Sequence, residues 1–133
     1  MNREVINPAS MYNATQYGFS HAIKADGSKT IHCAGQVGWD KDCNLVEGDI
    51  AAQARQALSN LKEVLAAAGA SVADVVRIHT YVVNHSPDNL EPIGMALAEF
   101  YGDLEPAANT LIGVQTLALP GFLIEIEATA EID

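Results

Sequence analysis

The sequence contains few positively charged residues. It has 7 lysines and arginines against 17 aspartates and glutamates, which gives a formal net charge of −10 over 133 residues. Nucleic-acid binding depends on clustered lysine and arginine side chains that neutralise phosphates, and the seven cations here are scattered along the chain. The composition therefore argues against nucleic acid as a partner.

Cysteines and long apolar segments are also scarce. Cys33 and Cys43 are the only cysteines; Cys33 falls in a predicted strand, and nothing else indicates an oxidising compartment, so we expect two free thiols. Residues 1–4 lead into no apolar segment typical of a secretory signal, and no apolar run of ~18 residues suggests a membrane span. We expect a cytoplasmic protein with no membrane partner.

Motifs for metal, cofactor and covalent chemistry are missing. The four histidines form no His-x-x-x-His spacing, and the cysteines form no Cys-x-x-Cys pair, so we expect no metal. There is no Gly-x-Ser-x-Gly elbow or phosphate loop, and Gly35 and Gly38 are too sparse for a dinucleotide fingerprint, so we expect no cofactor. A strand cysteine such as Cys33 is usually inert unless a base or a positive charge lowers its pKa.

The length and composition of the chain predict one compact domain over residues 1–133. Hydrophobic residues make up 49% of the chain and charged residues 18%, enough to bury a core. The periodicity predicts an α+β fold with the order β-β-β-α-β-α-β-β. The first helix begins after Asp49 and stops at Gly69, with Gln53 on its exposed face, and the second follows Ser86. Predicted strands cover residues 19–24, 30–37, 74–83, 109–119 and 122–132 after a strand-and-loop segment over 1–17, and a turn at 25–28 suggests a hairpin.

The last predicted strand alternates apolar and acidic residues. Ile124 and Ile126 should face the core, while Glu125 and Glu127 should face the other way. Two helices can cover only one face of such a sheet, so the other face is either solvated or packed against further copies of the chain. Carboxylates that share a strand face are candidates for acid–base chemistry. The pattern alone favours a solvated face.

Several stretches taken in chain order resemble the RidA/YjgF family of reactive-intermediate deaminases. Each is weak alone, but together they span nearly the whole chain in an order specific for the family. These stretches are Phe19-Ser20-His21-Ala22, Ala34-Gly35-Gln36-Val37, residues 53–61, residues 67–70, Asp74-Val75-Val76, and residues 106–130 with Ile124-Glu125-Ile126-Glu127-Ala128.

The resemblance implies a chorismate-mutase-like α+β fold, with a mixed sheet carrying two helices on one face. It also implies a homotrimer around a central barrel, with small-molecule clefts between subunits. Well-studied members hydrolyse enamines and imines, such as 2-aminoacrylate, to ketoacids and ammonia. An arginine there binds the substrate carboxylate, and a glutamate matching Glu125 positions water and moves protons. By the same resemblance the substrate-binding positions are Phe19, Ala34, Gly35, Asn109 and Thr110.

The sequence departs from the family pattern at three binding positions. The family's Pro-Ala-Arg element matches residues 106–110, where the arginine falls on Asn109, the preferred position, or on Ala108. The family's serine is Ala34 and its tyrosine is Phe19. An uncharged side chain replaces neither the charge nor the fork geometry of a guanidinium group. The chain thus resembles an arginine-less branch of the family.

Two functions remain open at this point. One is hydrolysis of a reactive imine or enamine, with Glu125 as general acid/base and with Asn109 and Thr110 as hydrogen-bond anchors. This activity would not extend to 2-aminoacrylate-like acids bound by the usual arginine. The other is a non-catalytic, metabolite-binding or regulatory trimer that uses the same cleft.

Overall fold

The computed structural model describes residues 1–133 and has the predicted order of strands and helices. Three single turns of 3₁₀ helix, Ala14–Tyr17, Val72–Asp74 and Pro87–Asn89, lie between these elements. The strands and α-helices are β1 (Arg3–Ile6), β2 (Ala22–Ala25), β3 (Lys29–Gln36), α1 (Ile50–Ala67), β4 (Val75–Val83), α2 (Leu90–Tyr101), β5 (Ala108–Val114) and β6 (Ile124–Ile132).

The main sheet has four strands in the order β3-β6-β4-β5. The acidic strand β6 lies inside it and runs antiparallel to both β3 and β4, while β5 runs parallel to β4. Because β3 and β4 are both antiparallel to β6, they are parallel to each other, and α1 forms the crossover between them. Helix α2 makes the second crossover, from β4 to β5.

The predicted hairpin between the strands now called β2 and β3 is wrong. Strand β2 pairs with β1 in a separate two-stranded sheet, and β3 pairs with β6 from Lys29↔Ile132 onward. A turn signal such as that at residues 25–28 reverses the chain but does not select the partner strand. In β3 the buried Cys33 pairs with the buried Ala128 of β6, so this pairing adds β3 to the core-facing sheet.

Both helices pack on one face of the main sheet, as predicted. One cluster of 19 buried residues joins α1 and α2 to the inward-facing residues of β3, β4 and β6. On β6, Ile124 and Ile126 are fully buried, whereas Glu125 and Glu127 between them are partly exposed on the other face. The strict alternation in the sequence thus correctly predicted which residues of this strand enter the core.

Gln53 is a correction to the helix prediction. Asp49 caps α1 as predicted by accepting from the N–H groups of Ala51 and Ala52, but Gln53, expected on the exposed face, is buried. Its Nε2 donates to the carbonyl of Gly121 and its Oε1 accepts from the N–H of Leu123, both at 2.9 Å. The periodicity predicted that the Gln53 side chain faces solvent, but its amide binds the loop that leads into β6.

Candidate functional site

Glu125 lies on the open face of the main sheet, the face that carries no helix. It is partly exposed and pairs with Tyr81 of β4 on one side. On its other side an irregularity in β3 between Cys33 and Gln36 interrupts the strand pairing. A Cβ atom placed on Gly35 would lie 2.7 Å from both Cγ and Cδ of Glu125. A larger residue at this position would require the Glu125 side chain to move, so two predicted site residues, Gly35 and Glu125, are in contact.

A hydrogen-bonded cluster surrounds the neighbouring carboxylate on the same face. The hydroxyl of Tyr81 donates to Oε1 of Glu127, and Nδ1 of His79 lies 3.3 Å from the same oxygen. The pKa of Tyr81 is raised, chiefly by this hydrogen bond and further by desolvation and by the negative charges of Glu127 and Glu125. A phenolate could not donate to the carboxylate and would be repelled by it.

Tyr81 and His79 are site-face residues that the sequence pattern did not predict. A signal for them exists in β4, where Arg77, His79 and Tyr81 occupy the positions between buried residues. Finding their partner needed the register of β4 against β6, which pairs His79 with Glu127. The sequence pattern does not contain that register.

The other predicted binding residues lie at the far side of the sheet, around β5. Phe19, Asn109 and Thr110 line a cavity of about 590 Å³, together with Ala108 and Arg77. Ala34 is exposed next to Gly35 and does not line this cavity. We refer to Gly35 and Glu125 as the Gly35–Glu125 pair and to Phe19, Asn109 and Thr110 as the cavity group.

The two candidate positions for the family's arginine differ in what they face. Ala108 pairs with Arg77, so the two share the open face of the sheet. The side-chain oxygen of Asn109 instead accepts a hydrogen bond, at 3.1 Å, from the hydroxyl of Thr80, which is fully buried on the helix-covered side. The amide oxygen of Asn109 is therefore already engaged within the fold.

In a single copy of the chain the Gly35–Glu125 pair and the cavity group lie far apart. Glu125 pairs with Tyr81, and Thr110 pairs with His79, so β4 lies between them. Strands separated by one intervening strand are about 10 Å apart, and the two residue rows add roughly 7 Å along the strands. No small ligand that touches Thr110 directly would also place its reacting atom beside Glu125 of the same copy.

Cysteine and metal chemistry have little structural basis here. Cys33 and Cys43 are both free, and Cys33 is buried on the helix side of β3. Burial raises the pKa of the Cys33 thiol, which disfavours the reactive thiolate. No three histidine, cysteine, aspartate or glutamate side chains lie close enough together to hold a metal ion. None of the helices is long and apolar enough to cross a membrane.

The mixed sheet with two helices on one face is the α+β fold of the YjgF-like proteins. The family model described as Endoribonuclease L-PSP matches residues 10–132, and the chain belongs to this family, which contains the RidA/YjgF, or Rid, proteins. A solved structure of a Rid-family protein of unknown function, YyfB from Yersinia pestis, is 57% identical. The alignment covers 99% of this chain and 100% of that one, and the TM-score is 0.96.

Two further relatives extend the comparison. A human 2-iminobutanoate/2-iminopropanoate deaminase is 35% identical over 114 residues, which are 84% of this chain and 78% of that protein. A YjgF-family structure from Mycobacterium tuberculosis is 30% identical with a TM-score of 0.66, over 98% of this chain and all of that one. The resemblance in the sequence motifs therefore identified the family correctly.

Proposed function

We propose that this protein hydrolyses a reactive imine or enamine, with Glu125 as the general acid/base. The observation that carries the proposal is the contact of Glu125 with Gly35 on the open face of the sheet. This contact joins two positions that the family resemblance assigns to the cleft. The family membership of the chain, which includes a human relative named as an imine deaminase, supports the same reaction class.

The proposed reaction does not require the Glu125 carboxylate to be a strong base. An imine carbon is already electrophilic, so attack by water needs only a weak base. Glu125 takes one proton from the attacking water and returns it to the nitrogen. Collapse of the resulting carbinolamine breaks the C–N bond, so that one imine and one water yield one carbonyl compound and one ammonia.

The proposed site lies in clefts between the subunits of a homotrimer. The Gly35–Glu125 pair and the cavity group are too far apart in one copy to act on one small molecule. Association of open sheet faces around a threefold axis would place Glu125 of one subunit near the cavity group of the next. The polar open face fits a partly hydrated interface of this kind.

The proposal excludes two activities that the family name could suggest. The name Endoribonuclease L-PSP belongs to the family model, whereas a net charge of −10 opposes RNA binding by this chain. Residues 106–110 contain no arginine, so we assign the chain to an arginine-less branch. Binding of 2-aminoacrylate-like acids by the usual arginine is excluded with it.

The test of the activity is a panel of imines generated in situ by amino-acid oxidases. We expect the wild-type protein to accelerate the loss of at least one imine and Glu125→Gln to lower that rate about 100-fold or more. Glu63→Gln, a change at an exposed glutamate on α1, is the matched control and should be fully active. If no imine decays faster than in buffer, the metabolite-binding trimer replaces the enzyme proposal. Equal rates for wild type and Glu125→Gln would remove Glu125 from the mechanism.

Two further measurements test the geometry of the site. Gly35→Ala should reduce the rate nearly as much as Glu125→Gln, because the new Cβ displaces the carboxylate. Gly94→Ala, where a Cβ meets nothing within 4 Å, is its control. Light scattering should give three times the mass of one chain, and a monomer mass would remove the shared cleft from the proposal.

A further inference from the structure

His79 differs from the other three histidines because its ring is hydrogen-bonded to a carboxylate. Its Nδ1 lies 3.3 Å from Oε1 of Glu127 on the open face of the main sheet. His21 instead contacts a backbone carbonyl, His85 has a buried ring nitrogen without a partner, and His32 is exposed on β3. An imidazole held by a carboxylate is an arrangement that enzymes use for a general acid or base.

The hydrogen bonds of this cluster fix the tautomer of the His79 ring. The same oxygen of Glu127 accepts from the hydroxyl of Tyr81. Because an ionised carboxylate can only accept, Nδ1 of His79 carries the proton in this contact. The other ring nitrogen, Nε2, makes no hydrogen bond within the chain and is not buried. Nε2 is therefore the nitrogen that can exchange a proton with a ligand or with water.

Strand register places His79 close to Glu125. Glu125 of β6 pairs with Tyr81 of β4, and His79 is the next residue of β4 on the same face. Diagonal neighbours on one face of an antiparallel pair lie about 7–8 Å apart. This separation leaves room for a small molecule between the carboxylate of Glu125 and the ring of His79.

We propose that His79 is a second catalytic residue, which protonates the nitrogen of the carbinolamine, and that Glu127 and Tyr81 position its ring. The inference rests on the proposed function, in which collapse of the carbinolamine is the second step. Glu125 accepts the proton of the carbinolamine hydroxyl, the imidazolium of His79 donates its Nε2 proton to the nitrogen, and the C–N bond breaks. Glu125 then gives a proton to water and His79 takes one from water, so overall one proton has moved from oxygen to nitrogen.

The chemistry of this step favours a histidine as the acid. An amino group leaves carbon as ammonia only after the nitrogen has gained a proton. A carboxylic acid with an ordinary pKa is almost wholly ionised near neutral pH, whereas an imidazole is present there in both forms. A carboxylate and an imidazolium on opposite sides of the carbinolamine would supply the base and the acid at the same time.

The surroundings of His79 determine which variants the test needs. The charged or titratable groups that share this face around His79 are Arg77 and Tyr81 of β4 and Glu125 and Glu127 of β6, while its neighbour on β5, Thr110, is uncharged. A change in pH dependence can be assigned to His79 only if it follows substitution of His79 itself.

The experiment measures imine loss as a function of pH for the wild type and for His79→Asn. The asparagine amide can still donate to Glu127 but cannot ionise. We expect the wild-type rate to fall at alkaline pH as the acid form of His79 is lost, and His79→Asn to be about 100-fold slower and to lack this alkaline fall. His32→Asn, at an exposed histidine on the same face, is the matched control and should keep both the rate and the profile.

Two further variants test the positioning residues. Glu127→Gln and Tyr81→Phe leave the imidazole in place, so each should lower the rate, but by less than His79→Asn does. Full activity of either variant would remove that residue from the proposal.

Chemical rescue separates catalysis from structure. His79→Ala should be slow, and added imidazole should restore part of its activity by acting as the acid in the vacated space. Imidazole should not restore Glu125→Gln, and the loss of imine in imidazole without protein is subtracted. A slow His79→Asn that keeps the alkaline fall, together with a His79→Ala that imidazole does not rescue, would reduce His79 to a structural role and overturn the proposal.

The outcomes for the two proposals can be told apart. An active wild type, an inactive Glu125→Gln and a His79→Asn with unchanged rate and pH profile would overturn the role of His79 alone. A wild type that accelerates the loss of no imine would overturn both proposals. Thermal unfolding of each variant shows whether a lost rate comes from a lost fold.

Discussion

The two faces of the main sheet are built from alternate residues of the same strands, yet their chemistry is opposite. On the covered face Ile124, Ile126 and Ile78 are fully buried beneath the helices. On the open face Glu125, Glu127 and their neighbours remain partly exposed. The covered face therefore supplies the apolar burial that stabilises the fold, whereas the open face keeps polar side chains in contact with solvent.

Polar groups on the two faces are also satisfied differently. On the covered side Thr80 donates to Asn109 and Gln53 binds loop backbone, so these two buried side chains have partners inside the subunit. On the open face Tyr81 donates to Glu127, whereas no side chain of the same copy donates a hydrogen bond to Glu125. An accessible carboxylate of this kind is available to water or a ligand.

The largest expected difference between the faces is in stability. Ile126→Ala should lower the free energy of unfolding by about 2–5 kcal/mol, because it removes buried methyl groups and leaves a cavity. Glu127→Ala, at the next residue of the same strand, should cost less than about 1 kcal/mol. Urea unfolding of both variants measures the difference. Equal losses would mean that the open face is packed as tightly as the covered one.

A smaller effect is expected from Tyr101, a buried residue of α2. Burial raises the pKa of Tyr101 to about 12, so the folded state resists ionisation of a phenol that ionises near pH 10 when unfolded. The stability contributed by the neutral phenol is complete below pH 10 and is lost as the pH rises towards 12. The total loss is roughly 2–3 kcal/mol.

This contribution can be isolated with Tyr101→Phe, which cannot ionise at that position. Between pH 9 and 11.5 the wild type should lose more unfolding free energy than the variant. Other groups titrate in both proteins and cancel in the comparison. Parallel losses in the two proteins would contradict the assignment to Tyr101.

The smallest effect is expected for Tyr81, on the open face. Its pKa is raised mainly by the hydrogen bond to Glu127 rather than by burial, so Glu127→Gln should move that pKa back towards its ordinary value. Alkaline absorbance titration, with Tyr81→Phe subtracted to isolate this phenol, measures the shift. A pKa unchanged by Glu127→Gln would assign the effect to desolvation instead.

Much of the architecture could be predicted from local patterns. The span of α1, the cap at Asp49 and the alternation along β6 each depend on neighbours within a few residues, and each was confirmed. The wrong hairpin and the buried Gln53 depend on distant partners, β1 for β2 and the loop at 121–123 for the amide. Periodicity contains no information about such contacts.

Some residues of the candidate site could be predicted from sequence motifs, and others could not. The family motifs pointed to Glu125, Gly35 and the cavity group by position, and their roles remain predictions. His79 could not be found in this way because its partner Glu127 lies beside it only in the register of β4 against β6. A lone histidine in a strand gives no sign of this partner in the sequence.

The sequence by itself determined the order of elements, the family and the face on which each residue of β6 lies. These follow from side-chain periodicity and motif order, which are properties of the chain alone. Only the tertiary structure decided that Gly35 touches Glu125, that Asn109 is engaged by Thr80, and that His79 lies against Glu127. Those contacts join residues far apart in the chain, and strand register and helix packing bring them together.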